Sequence, residues 1–191
     1  LLDRGLRFGE LAARPLAMTD PPIEPLGGET AWQGETFAVR VERFRYADGA
    51  VVEREIVRRV DAAAIVAYDD AHVWLVRQPR EAILQITLEL PAGKLDEGES
   101  PLQCARRELA EEIGREAEHW EEIETYYPSS GYTDEAVHVF VATGLHETDP
   151  EPDPGERIEV VRWPLSDIDA ALAATNDAKT IIGLQWLRAE L

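Results

Sequence analysis

A chain of 191 residues is long enough for one domain with a full hydrophobic core and requires no second fold. Its formal net charge of −19 excludes a protein built to grip the nucleic-acid backbone, because that affinity rests on clustered Lys and Arg. The one cysteine, Cys104, excludes an internal disulfide, and no apolar run reaches the length of a membrane span, so the cytoplasm is the expected compartment, without nucleic-acid or membrane partners.

Residues 1–17 precede the sole methionine, Met18, which suggests that translation starts naturally there; the upstream residues are then an extension, with a native leader as the alternative. Pro, Gly and acidic residues between 19 and 28 read as an arm, which makes 1–28 an N-terminal extension. Residues 36–46 (TFAVRVERFRY) alternate apolar and charged, and Ala47-Asp48-Gly49 turns the chain back through 51–60. This antiparallel hairpin places N-terminal strands in 29–60, ahead of a main domain at 61–191. Residues 62–68 and 73–77 read as strands around Asp69-Asp70-Ala71, and 83–90 as another strand, stopped by Pro91.

Next comes GKLDEGESPLQCARRELAEEIGR at 93–115. Ser100 and Pro101 suit the N-cap and first position of a helix that ends near Gly114. Leu102, Ala105, Leu109 and Ile113 recur at helical spacing and give it a face to bury. Glu108, Glu111 and Glu112 crowd one side, three and four residues apart, which costs energy unless a cation offsets it. Carboxylate oxygens suit Mg²⁺ or Mn²⁺ better than Zn²⁺; the alternative is a plain solvated acidic face. Farther on, 123–127 and 136–142 read as strands joined across Pro128-Ser129-Ser130-Gly131. An acidic, Pro-rich loop at 147–155 leads to a last strand at 158–163, then to helices at 167–174 and 180–191. Strands around one central helix and one or two terminal ones make an α/β sandwich of mixed strands.

The order Gly93, Glu99, Arg107-Glu108-Leu109, Glu111-Glu112 and Gly114 resembles the Nudix box, the loop–helix signature of the Nudix hydrolases. One position departs from it: the residue after the final glycine is usually aliphatic and here is Arg115, which bears on packing more than on chemistry. VRQPR at 76–80, ELPAGKLDEGE at 89–99 and SSGYTDEAVHVFVATGL at 129–145 resemble the ADP-sugar pyrophosphatase branch, above all ADP-ribose pyrophosphatases. The resemblance runs from Trp32 to the C-terminus.

That resemblance implies a Nudix-type α/β/α sandwich with a mixed β-sheet, preceded here by the hairpin. It implies hydrolysis of the pyrophosphate of ADP-ribose, or of a related nucleoside diphosphate sugar, to AMP and ribose 5-phosphate with Mg²⁺ (or Mn²⁺) as cofactor. Glu108 and Glu112 would be the main metal ligands, Glu111 a further one, and the Ala92 carbonyl would complete the shell. Gly93 and an Arg107–Glu99 ion pair would support the site. The general base would come from a later loop, as Glu156 or Glu135, with Glu156 favoured because it lies in the acidic loop before the last strand. Arg77 and Arg80 suit phosphate recognition, and Trp32 lies where an aromatic could meet the adenine. Arg54, Arg58 and Arg59 read as surface charges of the hairpin, Trp74, Trp163 and Trp186 as packing residues, and His138 as structural. The branch commonly works as a homodimer in which N-terminal strands complete the partner's site. Rival readings are hydrolysis of GDP-mannose or a dinucleotide, and a Nudix-fold module that senses a ligand without cleaving it. The intact Glu108, Glu111 and Glu112 set speaks against the last.

Overall fold

The structure is a computed structural model and describes residues 23–149 and 157–191. The extension at 1–17 and the candidate base Glu156 lie outside the described residues.

Three strands come first: β1 (Ile23–Gln33), β2 (Ala38–Tyr46) and β3 (Val51–Arg58) form an antiparallel sheet in that order. The expected hairpin is thus a three-stranded sheet, and part of the expected arm is strand. Pro25 and the following glycines disguise β1 because it is an edge strand whose register shifts between Pro25 and Gly28, where a missing donor and a bulge are tolerated. A three-stranded sheet is also a sounder unit than a hairpin, which is marginal alone in water.

The second sheet holds β4 (Ala62–Tyr68), β5 (His72–Arg80), β6 (Gln85–Glu89), β7 (Ala92–Lys94), β8 (Arg115–Tyr126), β9 (Val137–Glu147) and β10 (Glu159–Pro164). Its main path runs β10-β5-β4-β9-β8, with β6 on β5 and β7 on β4. The β4–β9 pair is parallel and the others are antiparallel, so the sheet is mixed as expected. Helix α1 (Pro101–Ile113) covers one face; α2 (Ile168–Ala174) and α3 (Ala178–Glu190) cover the other.

Strand β4 shows why its sequence reads as an unbroken apolar run. Ala63, Ile65 and Ala67 pack with Cys104, Ala105, Leu109 and Ile113 of α1, whereas Val66 packs with Leu184 and Leu187 of α3. A strand buried on both faces has no polar side to alternate with. The edge strand β8 is the contrast: Glu116, Glu118, Glu121 and Glu124 stand exposed, charges that discourage pairing with another sheet. It also runs eight residues earlier than the sequence suggests, because its mixed polar composition hides the strand.

Helix α1 begins with a capping box. Ser100 Oγ accepts from the Gln103 amide at 3.4 Å, and Gln103 Oε1 accepts from the Ser100 amide at 2.9 Å, with Pro101 just inside. It ends at Gly114, left-handed at φ 62°, whose N–H donates back to Ala110. Arg115 then lays its guanidinium over Trp74 at 5.5 Å and pairs with Glu147 at 3.1 Å. A cation stacked on an aromatic face fills the place where an aliphatic side chain usually packs, so the departure keeps the local packing. Among the described residues, no helix is long and apolar enough to cross a membrane.

Candidate active site

The sheet parts between β4 and β5. These strands pair only at Ala67–Trp74 and Tyr68–Val73; beyond that β6 takes the inner edge of β5, from Val76 to Arg80, and β7 takes the edge of β4 from Ala62 to Ala64. Leu90 and Pro91 carry the chain across, with the Pro91 carbonyl accepting from the Ile65 amide at 2.9 Å. A cleft of about 580 Å³ lies at this opening, lined by Arg80, Gly93, Glu108, Glu112, Glu135 and Lys179 among others. Six acidic and five basic side chains line it, so the cleft is near balance although the whole chain carries −19. An anionic ligand therefore meets far less repulsion there than elsewhere on the surface.

Helix α1 presents its acidic side to the cleft. Glu108 and Glu112 are both buried, one turn apart. The Ala92 amide donates to Glu112 Oε2 at 3.0 Å, which ties β7 to the helix. A side chain at Gly93 would start 1.7 Å from Glu108 Oε1, so only glycine leaves room for that carboxylate. Arg107 grips Glu99 with two nitrogens, at 3.0 and 2.9 Å, and gives its third to Glu108 at 2.7 Å and Glu111 at 2.9 Å. It also donates to the Lys94 carbonyl at 3.0 Å. The guanidinium holds the Glu99 carboxyl below its usual range.

The donor set fits a hard divalent cation: carboxylate oxygens beside a glycine cradle, while Cys104 Sγ faces the Gly93 and Lys94 carbonyls and burial pushes its thiol up to about 12. Among the described residues, no three His, Cys, Asp or Glu side chains converge as a ready-made metal cage. Glu111 is turned onto Arg107 and does not line the cleft. Carboxylates crowded on one helix side settle on the nearest cation, and here that is Arg107.

The opposite wall centres on Glu89, 1% exposed at the end of β6. Arg80 donates to both its oxygens, at 2.7 and 2.6 Å, and the Lys179 ammonium and the Thr87 hydroxyl complete its shell. Burial pushes this carboxyl up, but the Arg80 and Lys179 contacts outweigh it and hold the group at about 2. Lys179 also pairs with Asp177 at 3.0 Å, the residue that caps α3 through the Thr180 amide. Glu89, Asp177 and Lys179 were not singled out from the sequence, because it is the fold that brings them together.

Of the other candidates, Glu135 lines the cleft, with one oxygen 3.4 Å from Arg59 Nε. Burial raises its carboxyl above the usual value, helped by Asp61 and Asp134 and opposed by Arg59 and Lys179. Arg80 faces the cleft, but Arg77 is an exposed side chain 3.4 Å from Glu159. Positions three apart on a strand point to opposite faces, so the two arginines do not form one fork. Trp32 is 51% exposed against Phe37, and it does not line the cleft within this chain, although Glu35 and Thr36 do. Arg59 lines the cleft and Arg58 bridges Glu42 and Asp134, so these two are more than surface charges.

The NUDIX domain model matches residues 57–184. An ADP-ribose pyrophosphatase of Bacillus subtilis (strain 168) is 36% identical over 84% of this chain and 89% of its own length. A methanol dehydrogenase activator of Bacillus methanolicus is 32% identical over the same shares. Among solved structures, an ADP compounds hydrolase superposes with a TM-score of 0.79 at 27% identity, over 90% of this chain and 95% of that one.

Proposed function

The chain belongs to the NUDIX domain family as a Nudix hydrolase, and from that premise we propose that it cleaves the pyrophosphate of ADP-ribose, or of a closely related nucleoside diphosphate sugar, to AMP and ribose 5-phosphate. The observation that carries this reading is the buried Glu108–Glu112 pair, which opens beside Gly93 onto a cleft whose far wall bears Arg80 and Lys179. Glu108 and Glu112, with the Ala92 carbonyl, would hold Mg²⁺ or Mn²⁺, and Glu111 would join them only on leaving Arg107. When bound, the ion supplies positive charge against the phosphate oxygens and acidifies the attacking water.

The chain's own residues do the rest. Arg107 orients α1 by binding Glu99, Glu108 and the Lys94 carbonyl together. Arg80 and Lys179, pinned by Glu89, give the diphosphate a fixed positive edge. Glu156, in the acidic loop before the last strand, would accept the proton of the attacking water, with Glu135, which lines the cleft and whose carboxyl burial raises, as the alternative acceptor.

Hydrolysis of ADP-ribose, GDP-mannose and a diadenosine compound, followed by release of AMP or GMP, tests the substrate. ADP-ribose is expected to have the highest kcat/KM. Another nucleotide sugar in first place would overturn this choice while leaving the reaction class intact. We further propose that the N-terminal sheet is a dimerisation element, because Ile23, Trp32 and Val51 stand exposed on it. Deleting residues through Val60 is then expected to abolish the dimer and weaken substrate binding together. An active full-length monomer, seen by light scattering at assay concentration, would rule that out.

A further inference from the structure

Tyr126 is the last residue of β8, and its neighbours across the sheet fix where it stands. It pairs with Val137, Val137 pairs with Ala62, and Ala62 pairs with Lys94, so β8, β9, β4 and β7 share one row. Three strand spacings, about 14 Å, separate the ends of that row. The cleft spans it: β7 and the Glu108–Glu112 pair line one end, and Tyr126, Pro128 and Glu135 line the other.

Strand alternation gives the two adjacent tyrosines different places. Tyr127 is 59% exposed, whereas the Tyr126 ring packs against the buried cluster that holds Val139, Leu184 and Leu187. A phenol has only two torsions to fix, so a ring held in this way carries its hydroxyl at a set position. Among the described residues that hydroxyl has no hydrogen-bond partner, and it is not sealed from solvent. A Tyr O–H with a buried ring usually has a partner, and here the cleft is where one can come from. Burial, with the charges of Asp177 and Glu135, pushes the phenol above its ordinary value, so it stays a proton donor at working pH.

The surroundings select the chemistry of the ligand. Asp177 and Glu135 act on the phenol, and Asp61 and Asp134 act on Glu135. The cations within reach are already engaged, Arg59 with Glu135 at 3.4 Å and Lys179 with Asp177 at 3.0 Å. Such a group repels a phosphate but suits a polyol, whose hydroxyls donate to carboxylates and accept from a phenol. A nucleobase would set its apolar faces against carboxylates, which costs their hydration without replacing it. The diphosphate therefore belongs at the metal-fitting end, and the sugar that carries no base reaches the Tyr126 end.

We propose that Tyr126 is a specificity-determining residue: its O–H donates a hydrogen bond to an oxygen of the sugar on the far side of the diphosphate from the nucleoside. This rests on the hydrolase reading and adds to it a group that recognises the sugar half of the substrate.

The test compares Tyr126→Phe with the wild type in the full chain with Mg²⁺. ADP-ribose serves as substrate, and ADP and AMP, which lack the second sugar, as competitive inhibitors. KM for ADP-ribose is expected to rise about three- to tenfold with kcat within about twofold, the loss of one neutral hydrogen bond made in both ground and transition state. The inhibition constants of ADP and AMP should stay within about twofold, because they lack the group that the deleted contact reaches. Tm should not change, since the hydroxyl gives up no partner among the described residues. Tyr127→Phe, the same deletion on the exposed face, should match the wild type throughout.

An unchanged KM in Tyr126→Phe would overturn the proposal, and so would an equal weakening of ADP and AMP, which would place the nucleoside at Tyr126. If the wild type does not release AMP from ADP-ribose, the hydrolase reading fails on its own. Calorimetric affinities of both proteins for ADP-ribose and ADP then decide the role of Tyr126: a loss confined to ADP-ribose supports it, and equal affinities overturn it.

Discussion

Glu112→Gln is expected to lower kcat on the order of a thousandfold at ordinary Mg²⁺, about 4 kcal/mol of barrier, while the folded protein survives. The fold is spared because an amide oxygen can still accept from the Ala92 amide, the contact that Glu112 Oε2 makes at 3.0 Å. What the substitution removes is a negative charge at a buried position one turn from Glu108, in the wall of the cleft. Such a loss weakens the hold on a divalent cation more than it weakens the loop, so higher Mg²⁺ should restore part of the rate. Steady-state kinetics across a Mg²⁺ series, with circular dichroism as the fold control, measures both. Comparable turnover of variant and wild type at ordinary Mg²⁺ would sink the assignment of Glu112 as a metal ligand.

The motif was legible because its chemistry is local. Ser100, Pro101 and Gly114 mark the ends of α1, and the spacing of Leu102, Ala105, Leu109 and Ile113 fixes which side is buried; these signals lie within one short stretch. The Arg107–Glu99 pair spans only eight residues, so a loop followed by two helical turns brings it together. β1 failed for the opposite reason, since Pro25 and Gly28 are turn residues by composition, and only the register shift against β2 makes them strand.

Contacts made by topology left no sequence signal. Glu89 meets Lys179 across 90 residues, and Arg58 meets Asp134 across 76, with Glu89 and Arg58 in segments that read as ordinary strands and their partners in connecting segments. Arg77 and Arg80 looked alike in the string VRQPR, yet strand alternation sends one to Glu159 and the other to Glu89. Arg115 broke an expected pattern because the alternative to an aliphatic contact, a guanidinium on Trp74, needs a partner 41 residues away.

Glu89→Ala should destabilise the fold by about 3–5 kcal/mol, because it takes from Arg80 its buried carboxylate and leaves Lys179 with Asp177 alone. For a chain of this size that corresponds to roughly 10 °C in Tm. The carboxylate joins three elements: Thr87 and Glu89 on β6, Arg80 on β5 and Lys179 on α3, and the Thr180 hydroxyl beside them accepts from the Leu90 amide at 2.8 Å. Its pH signature has a definite sign. Burial raises the Glu89 carboxyl, but the Arg80 and Lys179 contacts win and hold it at about 2, below the ordinary 4.5. A group depressed on folding contributes stability that is present above its ordinary value and is lost as pH falls from there through the folded value. The Tm gap between wild type and Glu89→Ala is therefore expected to be full at pH 7 and to narrow below about pH 4.5. Glu89→Gln should fall between them, since it keeps acceptor shape for Arg80 without neutralising Lys179. Thermal unfolding at a series of pH values reads all three, and a gap that stays constant on acidification would show that the charge of Glu89 is not what binds α3 to the cleft wall.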